Sequence, residues 1–275
     1  MELEILTPPG VDPRLHILRA GAEVDAVLVL AERMAVLVDT LATPALCAEA
    51  LARLAPRIGD RPLQVVNSHM DWDHVWGNAA VAGRAPILAH RAALPRYHDP
   101  AMPALLARKA AEETRFAGIA LHPPDITFDG ELTLQGGDLT LHLLHTPGHT
   151  PDHLAVWIPE IATCLAVDAA EWPIPEVWSD APADLAALRG SLARLRALGA
   201  GCVLPAHGQT TSPALLDDNI AYFDALERRL RQGGAEPELA ELVPEAARLP
   251  PDQAEFYRGC HASNLRAQRR ACAEG

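Results

Sequence analysis

The stretch Asn67-Ser68-His69-Met70-Asp71-Trp72-Asp73-His74 carries two imidazoles and two carboxylates directly after the apolar run Leu63-Gln64-Val65-Val66. A short β-branched run that stops at such a cluster predicts a buried strand with metal ligands at its carboxyl end. Alternate residues of an extended segment face the same way, which places His69 with both carboxylates and turns His74 to the other side. The loop therefore has the ligand types for two adjacent divalent ions.

Other predicted strands also end at polar groups of this kind. Three such places follow along the chain: Leu139 to Leu144 before His145-Thr146-Pro147-Gly148-His149-Thr150-Pro151-Asp152-His153, Ile161 to Val167 before Asp168, and Cys202 to Leu204 before Pro205-Ala206-His207-Gly208. Because each ligand-like group comes just past a strand, the pattern predicts a site along one edge of the sheets.

The order of elements predicts an α/β fold (α+β in some schemes), a four-layer αββα sandwich of two mixed β-sheets with outer helices and a C-terminal helical segment. Strands at Leu15 to Ala20 and Val24 to Val38 are expected in one antiparallel sheet, and strands from Ile126 onward in a second. A helix is expected to begin at Pro44 and end before Pro56, and an amphipathic one to occupy Pro182 to Leu198.

The predicted domain organisation is a main domain over residues 1–212 and a C-terminal helical extension over residues 213–275. Within the first of these, prolines bracket a helical run, Ala104 to Phe116, in the segment 94–125. Such a segment between strands predicts either an inserted lid over a cleft or a packed connecting helix, and both interpretations stay open.

Composition narrows the classes of partner. The net charge of −13 argues against a nucleic-acid partner, which would need a basic surface. The five cysteines are widely spaced and form no C-x-x-C pair, which predicts reduced thiols in a cytoplasmic protein. The acidic start Met1-Glu2-Leu3-Glu4 does not resemble a secretion signal, and no apolar run predicts a membrane partner. A homodimer is an open alternative to a monomer.

On these motifs the chain resembles the metallo-β-lactamase fold superfamily, over roughly Leu15 to His207. The resemblance implies that residues 1–212 form a metallo-β-lactamase-like domain, an αββα sandwich with a metal site at one edge. It also implies a set of ligands by position: His69, Asp71 and His149 for one metal, Asp73, His74 and His207 for the second, and Asp168 between them.

One position departs from the superfamily pattern. The usual loop is His-x-His-x-Asp-His, and here Asp71 stands in place of the second histidine. Zinc is the superfamily default, but a further carboxylate favours harder ions such as manganese or iron. Flavodiiron proteins resemble the chain at this place, because they have a glutamate there. The cofactor predicted is therefore two divalent metal ions, with zinc, manganese and iron as candidates.

The predicted function is a hydrolase that uses a metal-bridging hydroxide on a small ester, lactone, thioester or related small-molecule substrate. Asp73 is the candidate catalytic residue, which would orient the nucleophile or pass a proton to the leaving group. The candidate substrate-binding residues are large or polar groups near the ligands or on the last helix: Trp72, Trp172, Trp178 and His261. The alternatives are a diiron redox protein that reduces oxygen or nitric oxide, and a non-catalytic metal-binding protein.

Overall fold

The computed structural model describes residues 2–233 and 235–274. The chain divides into two compact units. The first unit runs up to His145 and includes Ile158–Ile161, and the second contains Thr146–Trp157 and the chain from Ala162 onward. None of the described helices is both long and apolar enough to span a membrane.

The first unit contains a seven-stranded mixed sheet in which each strand pairs with the next along the chain. Its strands are β1 (Leu3–Leu6), β2 (Leu15–Ala20), β3 (Val24–Leu30), β4 (Ala35–Val38), β5 (Leu63–Val66), β6 (Ile87–His90) and β7 (Ile126–Phe128). Pairing is antiparallel from β1 to β4 and parallel from β4 to β7. The parallel strands bring their carboxyl ends to one edge, where the loop after β5 begins.

The assignment of Ile126 to a second sheet is wrong. Ile126–Phe128 pairs in parallel with β6 and is the last strand of the first sheet. The preceding residue fixes this register, because Asp125 donates its backbone N–H to the carbonyl of Ile87 at 2.8 Å and accepts the Ile87 N–H on its carboxylate at 2.9 Å. The side chain of Asp125 thus extends the hydrogen bonding between β6 and β7 by one residue.

The helices of the first unit are α1 (Pro44–Ile58), α2 (Trp72–Val75), α3 (Ala93–Tyr97) and α4 (Met102–Glu112). The predicted end of α1 before Pro56 is wrong, since the helix passes through Pro56 and ends where Gly59 donates to the carbonyl of Ala55. In the segment 94–125, the run predicted as one helix is α4 followed by a separate 3-10 turn, Thr114–Phe116. The lid role of this segment stays a prediction.

The other five strands form a second, mixed sheet. They are β8 (Leu132–Gln135), β9 (Thr140–His145), β10 (Leu154–Ile158), β11 (Thr163–Val167) and β12 (Cys202–Pro205). In the first unit β8 and β9 pair antiparallel, whereas in the second unit β11 and β12 pair in parallel. The expectation of a purely antiparallel second sheet is therefore wrong, while the predicted class of two mixed sheets is confirmed.

The second unit adds the helices α5 (Pro182–Ala197), α6 (Ala214–Gln232), α7 (Leu239–Leu242) and α8 (Pro251–Glu274). The predicted apolar stripe of α5 is confirmed, because four leucines at helical spacing are all buried: Leu185, Leu188, Leu192 and Leu195. Helices α5, α6 and α8 contact one another within this unit. The domain boundary at residue 212 stays a prediction.

Candidate metal centre

In the first unit, the loop after β5 holds a cluster of buried ligand-type side chains. His69, Asp73 and His74 are all buried. The imidazole centroids of His69 and His74 lie 4.1 Å apart. An Asp73 carboxylate oxygen lies 3.9 Å from Nε2 of His74. The expectation that an extended segment turns His74 away from His69 is wrong, because Trp72–Val75 is the helix α2 and the two rings lie side by side.

Asp39 fixes the orientation of this loop. One carboxylate oxygen of Asp39 accepts the backbone N–H of Ser68 at 2.7 Å, and the other accepts its hydroxyl at 2.7 Å and lies 2.8 Å from Nδ1 of His74. A proton on Nδ1 of His74 satisfies this contact, which makes Nε2 the lone-pair nitrogen that a metal needs. Sequence reasoning missed Asp39; its position just past β4, the parallel neighbour of β5, was the available signal.

A polar network anchors the far side of the same loop. Asn67 and Asn78 exchange side-chain hydrogen bonds of 3.1 and 2.8 Å. Thr40 donates its hydroxyl to Asn78 and its backbone N–H to the carbonyl of His74. The chain approaches so closely here that a Cβ at Gly77 would lie 1.8 Å from the carbonyl oxygen of Thr40. The position therefore requires glycine.

Asp71, the residue that departs from the superfamily loop, has two neighbours of different kinds. One carboxylate oxygen lies 3.4 Å from Nε2 of His69. The other accepts a short hydrogen bond from the guanidinium of Arg96, at the end of α3. The side chain of Asp71 is 30% exposed. The partnership with Arg96 was not anticipated from the sequence, which has no pattern linking the two positions.

The second unit holds a separate cluster at the ends of β11 and β12. Asp168 follows β11 and His207 follows β12, and because these strands are parallel neighbours their ends meet. An Asp168 carboxylate oxygen lies 3.5 Å from Nε2 of His149 and 3.4 Å from Nε2 of His207. Nδ1 of His149 lies 3.1 Å from the carbonyl of Glu176, a contact that leaves Nε2 as the ligand nitrogen.

His153 supports this second cluster from behind. Its Nε2 accepts the backbone N–H groups of Asp168 and Ala169, each at 3.2 Å, and its Nδ1 lies 2.9 Å from the hydroxyl of Thr146. His153 therefore supports the backbone of Asp168. The nearby Gly148 has φ +130°, and a Cβ there would lie 2.2 Å from the backbone nitrogen of Leu188.

Glu171 is a further acidic residue of this cluster that sequence reasoning missed. It is 2% exposed, and its carboxylate, the Asp168 carboxylate and a His149 nitrogen offer ligand atoms within 4.8 Å of one another. Burial and the charge of Asp168 raise the pKa of Glu171 to about 8. The hydroxyl of Tyr257, in α8, donates to this carboxylate at 3.5 Å.

Two asparagines of the C-terminal helices hold the loop that follows Asp168. Asn219 of α6 accepts the backbone N–H of Glu171 at 3.0 Å and donates to the carbonyls of Glu171 and Pro173. Asn264 of α8 accepts the N–H of Val177 at 2.9 Å and donates to the carbonyl of Pro175 at 2.8 Å. Helices after residue 212 thus contact the loop that carries Glu171.

The predicted substrate-binding residues lie in different settings. Trp72 packs edge-on against Phe116, and the ammonium of Lys109 lies 3.5 Å from its ring centroid. Trp172 is half-buried, and Trp178 is 45% exposed. Both ring nitrogens of His261 have partners within the second unit, the hydroxyl of Tyr222 and the carbonyl of Pro237. Their contact with substrate stays a prediction.

The side chains present fit a divalent metal. Imidazole nitrogens and carboxylate oxygens are the ligands of catalytic metal sites in proteins. Asp168 and Glu171 are almost fully buried, and burial of ionised carboxylates is costly unless a cation neutralises them. Each unit therefore contains a cluster whose chemistry suits a metal ion.

Buried imidazole and carboxylate clusters at the strand ends of a two-sheet α/β protein are typical of proteins that bind metal ions. The family model described as the metallo-beta-lactamase superfamily matches residues 20–207. The chain belongs to that superfamily, which confirms the predicted family and fold.

Curated and solved relatives agree with this fold. The chain is 28% identical over 158 residues to a linear primary-alkylsulfatase from Pseudomonas sp. (strain ATCC 19151), a match that covers 49% of this chain and 28% of that protein. Among solved structures, a metallo-beta-lactamase from Pontibacter korlensis matches with a TM-score of 0.59 and 21% identity, covering 80% of this chain and 97% of that one. The inverting sec-alkylsulfatase Pisa1 from Pseudomonas sp. matches with a TM-score of 0.66 and 19% identity, covering 94% of this chain and 49% of that one.

The chain thus spans less than a third of the curated relative that it matches. A metallo-beta-lactamase family protein from Thermus thermophilus matches with a TM-score of 0.62 and 20% identity, covering 100% of this chain and 93% of that one. The chain therefore has the family and fold of this superfamily, and its clusters contain residues suited to a divalent metal.

Proposed function

We propose that this protein is a metal-dependent hydrolase of small esters. The observation that carries the proposal is the fixed orientation of two imidazoles. Asp39 holds Nδ1 of His74, and the carbonyl of Glu176 holds Nδ1 of His149, so that both Nε2 atoms are set as ligands. Such orientation is characteristic of metal-binding histidines.

The superfamily resemblance implies a binuclear metal centre. The proposed ligands are the seven predicted from the sequence: His69, Asp71, Asp73, His74, His149, Asp168 and His207. When bound, divalent ions act as Lewis acids and lower the pKa of a coordinated water enough to make a nucleophile near neutral pH.

The chain's own residues have distinct roles in this proposal. Asp73 is buried beside His74, where its carboxylate would orient the attacking water or pass a proton to the leaving group. Asp168 lies within 3.5 Å of Nε2 of His149 and of His207, so its carboxylate would hold a metal ion together with these imidazoles. His153 keeps Asp168 in position through its backbone.

Two features support an ester with an apolar part as the substrate class. The curated relative is an alkylsulfatase, which makes a sulfate ester a member of the class to be tested. In the first unit, Trp72 joins partly buried apolar side chains of α4 next to the ligand loop, among them Met102 and Leu105. Such a surface suits an alkyl or aryl group. Carboxylic esters, lactones and thioesters belong to the same proposal.

A diiron redox protein is the second candidate, and the carboxylates favour it. Asp71 puts an oxygen ligand where the superfamily loop has a histidine, which shifts preference from zinc toward iron or manganese. A protein of this class would be purified with iron and would show a visible absorption change on reduction. Iron content with no ester hydrolysis is the result that favours it.

The test uses full-length protein purified without chelator. Metal content is measured, and turnover is assayed with an alkyl sulfate, a carboxylic ester, a lactone and a thioester, with zinc, manganese or iron supplied. We expect hydrolysis of at least one ester that is lost in Asp168→Asn and kept in the exposed control Asp60→Asn. Metal binding without turnover on the panel would instead support a non-catalytic metal-binding protein.

A further inference from the structure

We propose that Glu171 is a direct metal ligand, and that Asp71, in place of the superfamily's second histidine, serves as the counter-ion of Arg96. This inference rests on the proposed function and refines its ligand set. It concerns two carboxylates, one in each compact unit, whose surroundings differ.

Glu171 lies within reach of a metal held by its neighbours. Its carboxylate, the carboxylate of Asp168 and a nitrogen of His149 lie within 4.8 Å of one another, all in the second unit. Ligand atoms sit about 2.0–2.2 Å from a zinc-like ion, so two ligands of one ion can be about 4 Å apart. Small side-chain movements would bring these three atoms onto one ion.

The carboxylate of Glu171 needs a cation more than a hydrogen-bond donor. In the described part of the chain, the hydrogen bond that reaches it comes from Tyr257 at 3.5 Å, the long limit of such a bond. The side chain is 2% exposed, so water contributes little. Ionisation of a buried carboxyl group with one weak donor is costly unless a positive charge lies beside it, and a metal ion would supply that charge.

The backbone of Glu171 is fixed in advance. Asn219 accepts its N–H at 3.0 Å and donates to its carbonyl at 2.9 Å. Both bonds come from one side chain of α6, so the loop cannot rotate without breaking them together. A ligand held in this way binds metal with less ordering of the chain.

Asp71 has the opposite environment. It is 30% exposed, and the Arg96 guanidinium donates to it. A carboxylate that already has a cationic partner gains less from a metal than one that has none. Of the two carboxylates, Glu171 is therefore a better metal ligand than Asp71.

The experiment compares three side-chain neutralisations in the full chain. Glu171→Gln and Asp71→Asn remove one charge each with little change of size, and Glu255→Gln is the matched control on the exposed face of α8. Each protein is stripped of metal, and Mn²⁺ and Zn²⁺ are titrated back by calorimetry. We expect Glu171→Gln to weaken binding by at least about 10-fold. The metal affinity of Asp71→Asn should fall far less, and that of Glu255→Gln should not change.

Two outcomes overturn the inference: unchanged metal affinity in Glu171→Gln, or an equal loss in Asp71→Asn. If Glu171→Gln does not fold, Glu171→Asp decides, because it keeps the charge and moves the oxygens. The visible spectrum of Co²⁺-loaded Glu171→Asp should differ from that of the wild type if Glu171 is a ligand, and an identical spectrum contradicts it. Failure of the wild type to bind any metal overturns the proposed function instead.

Discussion

The two ligand clusters differ in how the chain builds them. The first lies within one short segment, from His69 to His74, and Asp39, just past the neighbouring strand β4, orients it. The second is spread over the ends of several elements and depends on α6 and α8, which hold its loop through Asn219 and Asn264. The first cluster is thus encoded locally, while the second depends on tertiary packing.

The largest expected effect comes from the glycine beside each cluster. Alanine at Gly77 would place Cβ 1.8 Å from a backbone oxygen, and at Gly148 2.2 Å from a backbone nitrogen with φ +130°. We expect each change to lower the free energy of unfolding by about 3 kcal/mol or more. Urea denaturation of each variant measures this change in the free energy of unfolding.

Gly190→Ala is the matched control, because its Cβ would meet no atom within 4 Å and it lies inside α5. Better helix propensity should stabilise this variant by roughly 0.5–1 kcal/mol. If Gly77→Ala is destabilised and Gly148→Ala is as stable as the wild type, the backbone around the second cluster can shift to accept the extra Cβ. The expectation of equal destabilisation would then be wrong.

Asp39→Asn tests the local orientation of the first cluster. The amide cannot accept from Ser68 and His74 as two carboxylate oxygens do, so His74 loses its fixed tautomer. We expect metal affinity to fall by about 10–100-fold. Calorimetric titration measures the change against the exposed control Asp60→Asn, and wild-type affinity in Asp39→Asn would contradict the role given to Asp39.

Asn264→Ala tests the tertiary support of the second cluster. It removes the acceptor for Val177 and the donor for Pro175, and leaves both backbone groups buried. The expected loss is about 1–3 kcal/mol of unfolding free energy, measured by urea denaturation. Gln232→Ala, on the exposed end of α6, should change little. Equal stability of the two variants would mean that α8 does not hold this loop.

The smallest expected effect is a difference in the rate at which thiols of the two units are labelled. Burial raises the pKa of Cys47, in the first unit, and of Cys164, in the second, to about 12. Both stay protonated at pH 8, so we expect a thiol reagent to label the less buried Cys272 first and these two only on unfolding. Rapid native labelling of Cys164 but not Cys47 would indicate that the second unit opens more readily.

The sequence predicted the family, the two-sheet class and the segments that carry the candidate ligands, because strand ends and polar clusters are adjacent in the chain. It could not predict Asp39, Arg96 or Glu171, whose roles come from partners far away in sequence. Side-chain contacts of this kind depend on register and helix packing, which local patterns do not encode. Continuation of α1 through Pro56 was missed for the same reason, since packing outweighs helix propensity.

Titration of divalent metal into the metal-free full chain tests the central claim most directly. The account predicts saturable binding of up to two ions per chain, and a loss of at least one site in Asp168→Asn while Asp60→Asn binds as the wild type does. A wild-type chain that binds no zinc, manganese or iron, or an Asp168→Asn variant that binds them unchanged, would contradict it.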